Sequence, residues 1–156
     1  MNVVFLDYDG VVNTPMWNED GTKCRYNFPD NNKVNNFQAV QWVSEFCQKY
    51  DYSIIVTSSW RTEENYKECL INGGLRDGIE ILGKTKALGM KRGKEIDIYL
   101  RDHPEITGYI IIDDIDEFSK FQQKRFVRTR EDVGFSKYDY YKACRIHEQF
   151  IVQNNS

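Results

Sequence analysis

At 156 residues the chain is long enough for one domain with a real core, and its 40% hydrophobic and 29% charged residues are ordinary for a soluble globular protein. A formal charge of -3 carries no global basic signal for nucleic acid and leaves only a local patch for such a partner. No window approaches the ~20 apolar residues of a membrane helix. With His103 and His147 as the only histidines and no CxxC, neither a zinc site nor a histidine-phosphatase mechanism is expected.

The first element is a strand, Val3 to Leu6, ending at Asp7. It has neither the basic flank nor the cleavage site of a signal peptide, so a cytoplasmic chain is expected. In that compartment Cys24, Cys47, Cys69 and Cys144 stay reduced and no disulfide-linked partner forms. Asn13 to Pro29 lacks periodicity, and Glu19-Asp20-Gly21-Thr22 within it reads as a hairpin turn. Val34, Phe37, Val40, Val43, Phe46 and Cys47 then recur at helical spacing, with Asp30 or Asn31 as the cap. A second strand, Ser53 to Val56, runs into Thr57-Ser58-Ser59, and a helix from Glu63 to Leu70 is stopped by Gly73-Gly74. A third helix spans Gly93 to Asp102 and ends before Pro104. Tyr109 to Ile112 is a strand ending at Asp113-Asp114, Arg125 to Arg128 another, and a final amphipathic helix carries Tyr141, Cys144, His147 and Ile151. Continuous apolar strands alternating with helices imply right-handed βαβ crossovers and an α/β layered fold with a parallel sheet.

Ligands of open α/β sheets bind beyond the carboxyl ends of the strands. Here those ends carry Asp7-x-Asp9-Gly10, Thr57-Ser58-Ser59 and Asp113-Asp114. If the strands are neighbours, their acids and hydroxyls meet in one crevice. Clustered carboxylates raise one another's pKa unless a positive charge holds them ionised. Mg²⁺, held by a few carboxylates and a substrate phosphate, answers that need. A carboxylate is then free to attack phosphorus and form an aspartyl-phosphate. Gly10 permits a sharp turn that keeps Asp7 and Asp9 close, and Thr57 and Ser58 precede a helix whose N–H groups face an anion. A calcium-binding EF-hand loop is excluded, because Gly10 is fourth and Asn18 twelfth counted from Asp7. Taken singly, acids after a strand are common turn residues, and Thr57-Ser58-Ser59 could be a helix cap alone. Trp60 reads as a core or hinge aromatic, His147 and Cys144 as core residues, and Arg61 has either an acid or a substrate phosphate open to it.

Asp7-Tyr8-Asp9-Gly10-Val11-Val12-Asn13 resembles the first motif of the haloacid dehalogenase-like (HAD) phosphohydrolase superfamily, Thr57 or Ser58 its second, and Asp113-Asp114 its fourth. Val56-Thr57-Ser58-Ser59-Trp60-Arg61 is similar, more narrowly, to the HAD domains of Swiss-army-knife RNA-repair proteins, whereas Val133-Gly134-Phe135-Ser136 departs from their frequent Gly-Leu-Thr. The likeness spans essentially the whole chain and implies a single HAD-like Rossmannoid three-layer sandwich over residues 1–156. It implies that Asp7 is the nucleophile and Asp9 the general acid/base. Asp7, the Asp9 backbone carbonyl and Asp114 then bind Mg²⁺, with Asp113 orienting a water or a neighbour. Thr57 joins the catalytic residues, and Ser58, Gly10 and Arg61 meet the substrate. For the bridging cation of the third motif, Lys91, Arg92 and Lys94 are candidates, and Lys94, nearest the helix start, is favoured.

HAD enzymes usually take specificity from a cap domain, and the roughly twenty residues after Asn13 are too few for one. A nearly capless site with a flap at about 13–29 is therefore expected, open to a phosphorylated small molecule or a nucleic-acid end. Trp17, Lys23, Arg25, Tyr26 and Phe28 make that flap either a base-stacking surface or an ordinary hairpin over the sheet edge. The expected function is a Mg²⁺-dependent phosphomonoester hydrolase. The alternative is a regulatory module that keeps the metal and phosphate site but turns over slowly. A phosphotransferase needs a water-excluding site, against which the short flap argues.

Overall fold

The computed structural model describes residues 1–15 and 32–151. Strands β1 (Asn2–Leu6), β2 (Tyr52–Val56), β3 (Ile81–Lys84), β4 (Gly108–Asp113) and β5 (Phe126–Arg128) form one sheet in the order β3-β2-β1-β4-β5. Every neighbouring pair is parallel. Helices α1 (Phe37–Tyr50), α2 (Tyr66–Asn72), α3 (Arg92–Asp102) and α4 (Lys137–Ile146) alternate with the strands, and α4 runs on into a π turn, His147–Ile151.

Alternation along each strand divides the core into two layers. Val4, Leu6, Ile54, Val56, Ile110 and Ile112 pack against α1, α2 and α4. Val3, Phe5, Ile55 and Ile111 face the other way, against Ile96, Tyr99 and Leu100 of α3. The expected α/β sandwich with a central parallel sheet is thus the observed fold. Among the described residues no helix is long and apolar enough to cross a membrane. Cys47, Cys69 and Cys144 are buried free thiols. His147 is a core residue, its Nδ1 2.8 Å from the Tyr52 hydroxyl.

Five details differ from the sequence reading. The sequence pattern does not predict strand β3, because its longest apolar run, Ile81-Leu82, is two residues between Glu80 and Gly83. It exists through edge pairing with β2, across a register shift at Ile54/Ile55. Helix α2 starts at Tyr66 rather than Glu63, because Ser59–Thr62 forms a tight 3₁₀ turn that ends on extended Glu63. Helix α1 is capped by Asn36; the suggested caps Asp30 and Asn31, with the turn at 19–22 and most of the flap, lie outside the described residues. Val34 sits before α1, held by an N–H bond of 3.0 Å to the Cys69 carbonyl. Phe37 is 62% exposed rather than core, its ring lying over Gly74, where a Cβ would meet it at 2.6 Å.

Asn36 Oδ1 accepts from the Ala39 N–H at 3.0 Å, and its Nδ2 donates to the Val133 carbonyl at 3.1 Å. Asn36→Ala removes both bonds and is expected to cost about 1–2 kcal/mol, read as a lowered urea midpoint at unchanged m-value.

Candidate active site

The parallel register sets the site. Leu6 pairs with Val56 on one side and Ile112 on the other, so the next residues, Thr57, Asp7 and Asp113, stand in a row beyond the strands. The row continues as backbone pairing: the Thr57 N–H donates to the Leu6 carbonyl at 2.9 Å and the Asp7 N–H to that of Ile112 at 3.1 Å. By alternation these side chains share the α3 face with Phe5, Ile55 and Ile111.

After Asp7 the chain wraps into a tight turn. The Val11, Val12 and Asn13 N–H groups all converge on the Tyr8 carbonyl, at 3.1, 2.9 and 2.8 Å. Tyr8 is buried, and its hydroxyl donates to the Tyr66 carbonyl at 2.6 Å. Gly10 adopts φ +81°, and a Cβ there would lie 2.5 Å from the Asp114 carboxyl. Glycine is therefore what lets Asp114 approach the turn. Asp9 projects from the same turn and accepts from Asn13 Nδ2 at 3.0 Å and Trp60 Nε1 at 3.2 Å. Trp60, expected to be only a packing aromatic, also stands edge-on to Tyr8, ring centroids 5.4 Å apart.

Asp7, Asp113 and Asp114 each bring a carboxylate oxygen within 4.8 Å of the others. Arg92 Nη1 lies 3.0 Å from Asp7 Oδ2 and 2.6 Å from Asp113 Oδ2. Of the three cations weighed in the sequence, Arg92 therefore faces the acids, whereas the favoured Lys94 is exposed on the same helix. Helical geometry decides this, since two positions along α3 turn a side chain through most of a half-circle. Burial, then the Asp113 charge, pushes Asp7 well above the usual carboxylate range, and Arg92 offsets only part of this. Burial likewise raises Asp113 against the pull of Arg92. It raises Asp9 too, against the hydrogen bonds from Asn13 and Trp60. Burial works to lower the Arg92 guanidinium, but the charges of Asp7 and Asp113 outweigh it and hold the cation.

Thr57 is fully buried, and its Oγ1 has no hydrogen-bond partner among the described residues. Ser58 Oγ accepts from the Trp60 N–H at 3.2 Å and caps the 3₁₀ turn. Arg61 turns inward. It donates to the Thr57 and Ser58 carbonyls and pairs with Glu95 at 2.9 Å, so of its two open partners the structure supplies an acid.

The donor set suits a hard divalent cation. Its oxygens are all anionic, and their 4.8 Å span is close to the roughly 4.2 Å that separates opposite ligands of Mg²⁺. The raised Asp7 and Asp113 carboxyls reflect burial first and the neighbouring acids second.

Those shifts fix the pH dependence of the metal-free protein. An acid whose folded pKa lies above its unfolded value of ~3.9 favours the fold below about pH 4, and that contribution is lost as pH rises through the folded value. Asp7→Asn should leave the melting temperature in chelator unchanged near pH 4 and raise it above wild type at pH 7.5. Scanning calorimetry at the two pH values checks this. Added Mg²⁺ should stabilise the wild type more at the higher pH.

No match was found among curated proteins or among solved structures. Comparison with protein families matches residues 3–140 to the HAD domain in Swiss Army Knife RNA repair proteins. That span runs from the first strand into α4, so it takes in every strand of the sheet together with the acids at their ends, and the chain belongs to that family.

Proposed function

We propose that the protein is a Mg²⁺-dependent phosphomonoester hydrolase in which Asp7 is the nucleophile and Asp9 the general acid/base. The observation carrying this reading is the convergence of Asp7, Asp113 and Asp114 beside the unpartnered hydroxyl of Thr57. Membership of a HAD family supports hydrolysis at phosphorus.

In the first step an Asp7 carboxylate oxygen bonds to phosphorus as the ester P–O bond breaks, and Asp9 gives its proton to the leaving oxygen. In the second, Asp9 takes a proton from the attacking water, the acyl-phosphate P–O bond breaks and orthophosphate departs. Asp7, Asp114 and the Asp9 carbonyl would hold Mg²⁺, with Asp113 orienting a bound water or a neighbour, and the ion would neutralise phosphate charge. Of the candidates Lys91, Arg92 and Lys94, Arg92 takes the bridging role rather than the favoured Lys94, orienting Asp7 and Asp113 through one guanidinium. Thr57 Oγ1 is free to donate to a phosphate oxygen. Gly10 and Ser58 shape the backbone around it. Raised by burial, Asp9 holds a proton at higher pH than a free aspartic acid, as the first step requires. The substrate class we assign is a nucleotide or nucleic-acid phosphate end, in keeping with a family named for RNA repair proteins.

Asp7→Asn should abolish turnover of a small aryl phosphate, and Asp9→Asn should reduce it by ~10²–10⁴-fold. Chelation should silence the wild type and Mg²⁺ restore it. Wild-type rates in metal-replete Asp7→Asn would exclude the covalent route.

Trp60→Phe removes a hydrogen bond that favours ionised Asp9, so the Asp9 pKa should rise. The basic limb of the kcat/KM profile against pH, which tracks loss of the Asp9 proton, should move upward.

A further inference from the structure

Glu95 is only 4% exposed, and the hydrogen bonds of its carboxylate reach away from its own helix. Oε1 takes Arg61 Nη2 at 2.9 Å, and Oε2 takes the Leu88 N–H at 2.6 Å. Arg61, itself 8% exposed, spends Nη1 on the Thr57 and Ser58 carbonyls. Lys84 Nζ holds the Arg61 carbonyl at 2.6 Å. Glu95 stands three positions after Arg92, within one turn of α3, so the two side chains project from neighbouring places on that helix. The pair therefore joins the helix delivering Arg92 to Asp7 with the loop delivering Thr57.

Stability alone is a poor account of this arrangement. Burying two charges costs desolvation that their attraction scarcely repays, and a well-packed apolar pair would serve as well. Arg61 Nε is moreover buried without a partner among the described residues, a further cost. Burial also lowers the Arg61 guanidinium pKa against the pull of Glu95. What an apolar pair cannot supply is a bidentate, directional clamp on the Thr57 and Ser58 carbonyls.

We propose that Glu95 and Arg61 are positioning residues that fix the Thr57–Ser58 phosphate grip relative to Arg92 and Asp7, with Arg61 acting through the loop backbone rather than on the substrate. This rests on the phosphohydrolase reading, although the phosphate grip is measurable without turnover. Positioning errors of an ångström at such a site are costly in rate.

The test is a double-mutant cycle with Arg61→Gln, Glu95→Gln and the pair, read by kcat and KM on a small aryl phosphate. Orthophosphate affinity is measured in parallel by calorimetry with Mg²⁺, well below each variant's melting temperature. Each single substitution should lower kcat/KM at least tenfold and weaken orthophosphate binding, and the double should be no worse than the poorer single. Arg61→Lys keeps the charge but cannot hold two carbonyls and Glu95 together, so it should fail as Arg61→Gln does. It carries the test if the uncharged variants do not fold. Near-wild-type activity in Glu95→Gln or Arg61→Lys beside an inactive Arg61→Gln would overturn the proposal, because Arg61 would then touch substrate by its charge. Multiplicative losses would overturn it too, as would unchanged kinetics and phosphate affinity with only the melting temperature lowered. The failures separate: wild type that binds orthophosphate without hydrolysing esters overturns the enzymatic reading, while weaker orthophosphate binding in Glu95→Gln still upholds the positioning role.

Discussion

Three carboxylates that repel one another, two of them buried, are the constraint around which this protein is organised. Asp7 and Asp113 meet at the ends of β1 and β4 because the parallel register sets Leu6 beside Ile112, and Gly10 leaves room for Asp114 to join them. Keeping them ionised there requires positive charge, and Arg92 supplies one share of it. Part of the repulsion stays unrelieved, on a sheet whose two apolar layers make it too stiff to relax.

Helix α3 does more than cover one face of the sheet. Ile96, with Tyr99 and Leu100, packs on Phe5 and Ile111, while Arg92 and Glu95 reach the strand ends. Its N-terminus is itself held from the far side, where the Glu117 carboxylate accepts the Arg92 N–H at 3.1 Å. Gly93 makes this close approach feasible, since a Cβ there would fall 2.5 Å from Gln122 Oε1 and 2.8 Å from the Glu117 carbonyl. A helix so anchored presents its cation at a defined depth, which a flexible lysine at an exposed position would not do.

The turn after β1 solves a complementary problem. Asp7 and Asp9 stand close together on one turn, and two carboxylates in one environment would not differ. Their surroundings differ here. Asp7 faces other acids and a guanidinium, whereas Asp9 is half-buried against the neutral donors Asn13 and Trp60. The Tyr8 side chain, anchored on the Tyr66 carbonyl, holds the turn that separates them.

The sequence by itself determined the layered α/β fold, the strands ending at Asp7, Thr57 and Asp113, and the kinship that these motifs carry. All are local: apolar runs, their lengths, and the residues at their ends. It also marked Gly10, because a glycine after an acidic pair has few other uses. Tertiary structure alone decided the rest. Strand β3 exists by pairing with β2, not by its own weak pattern. Asn36 caps α1 because contacts to Val12, Val133 and Ala39 fix it there. The choice among Lys91, Arg92 and Lys94 depended on the rotation of α3 about its axis, which is set by Ile96 packing on the sheet and leaves no trace in adjacent sequence. Arg61 had two partners open to it, and Glu95, 34 positions away, took it. Contacts of that separation are made by packing, and packing is what a linear reading cannot see.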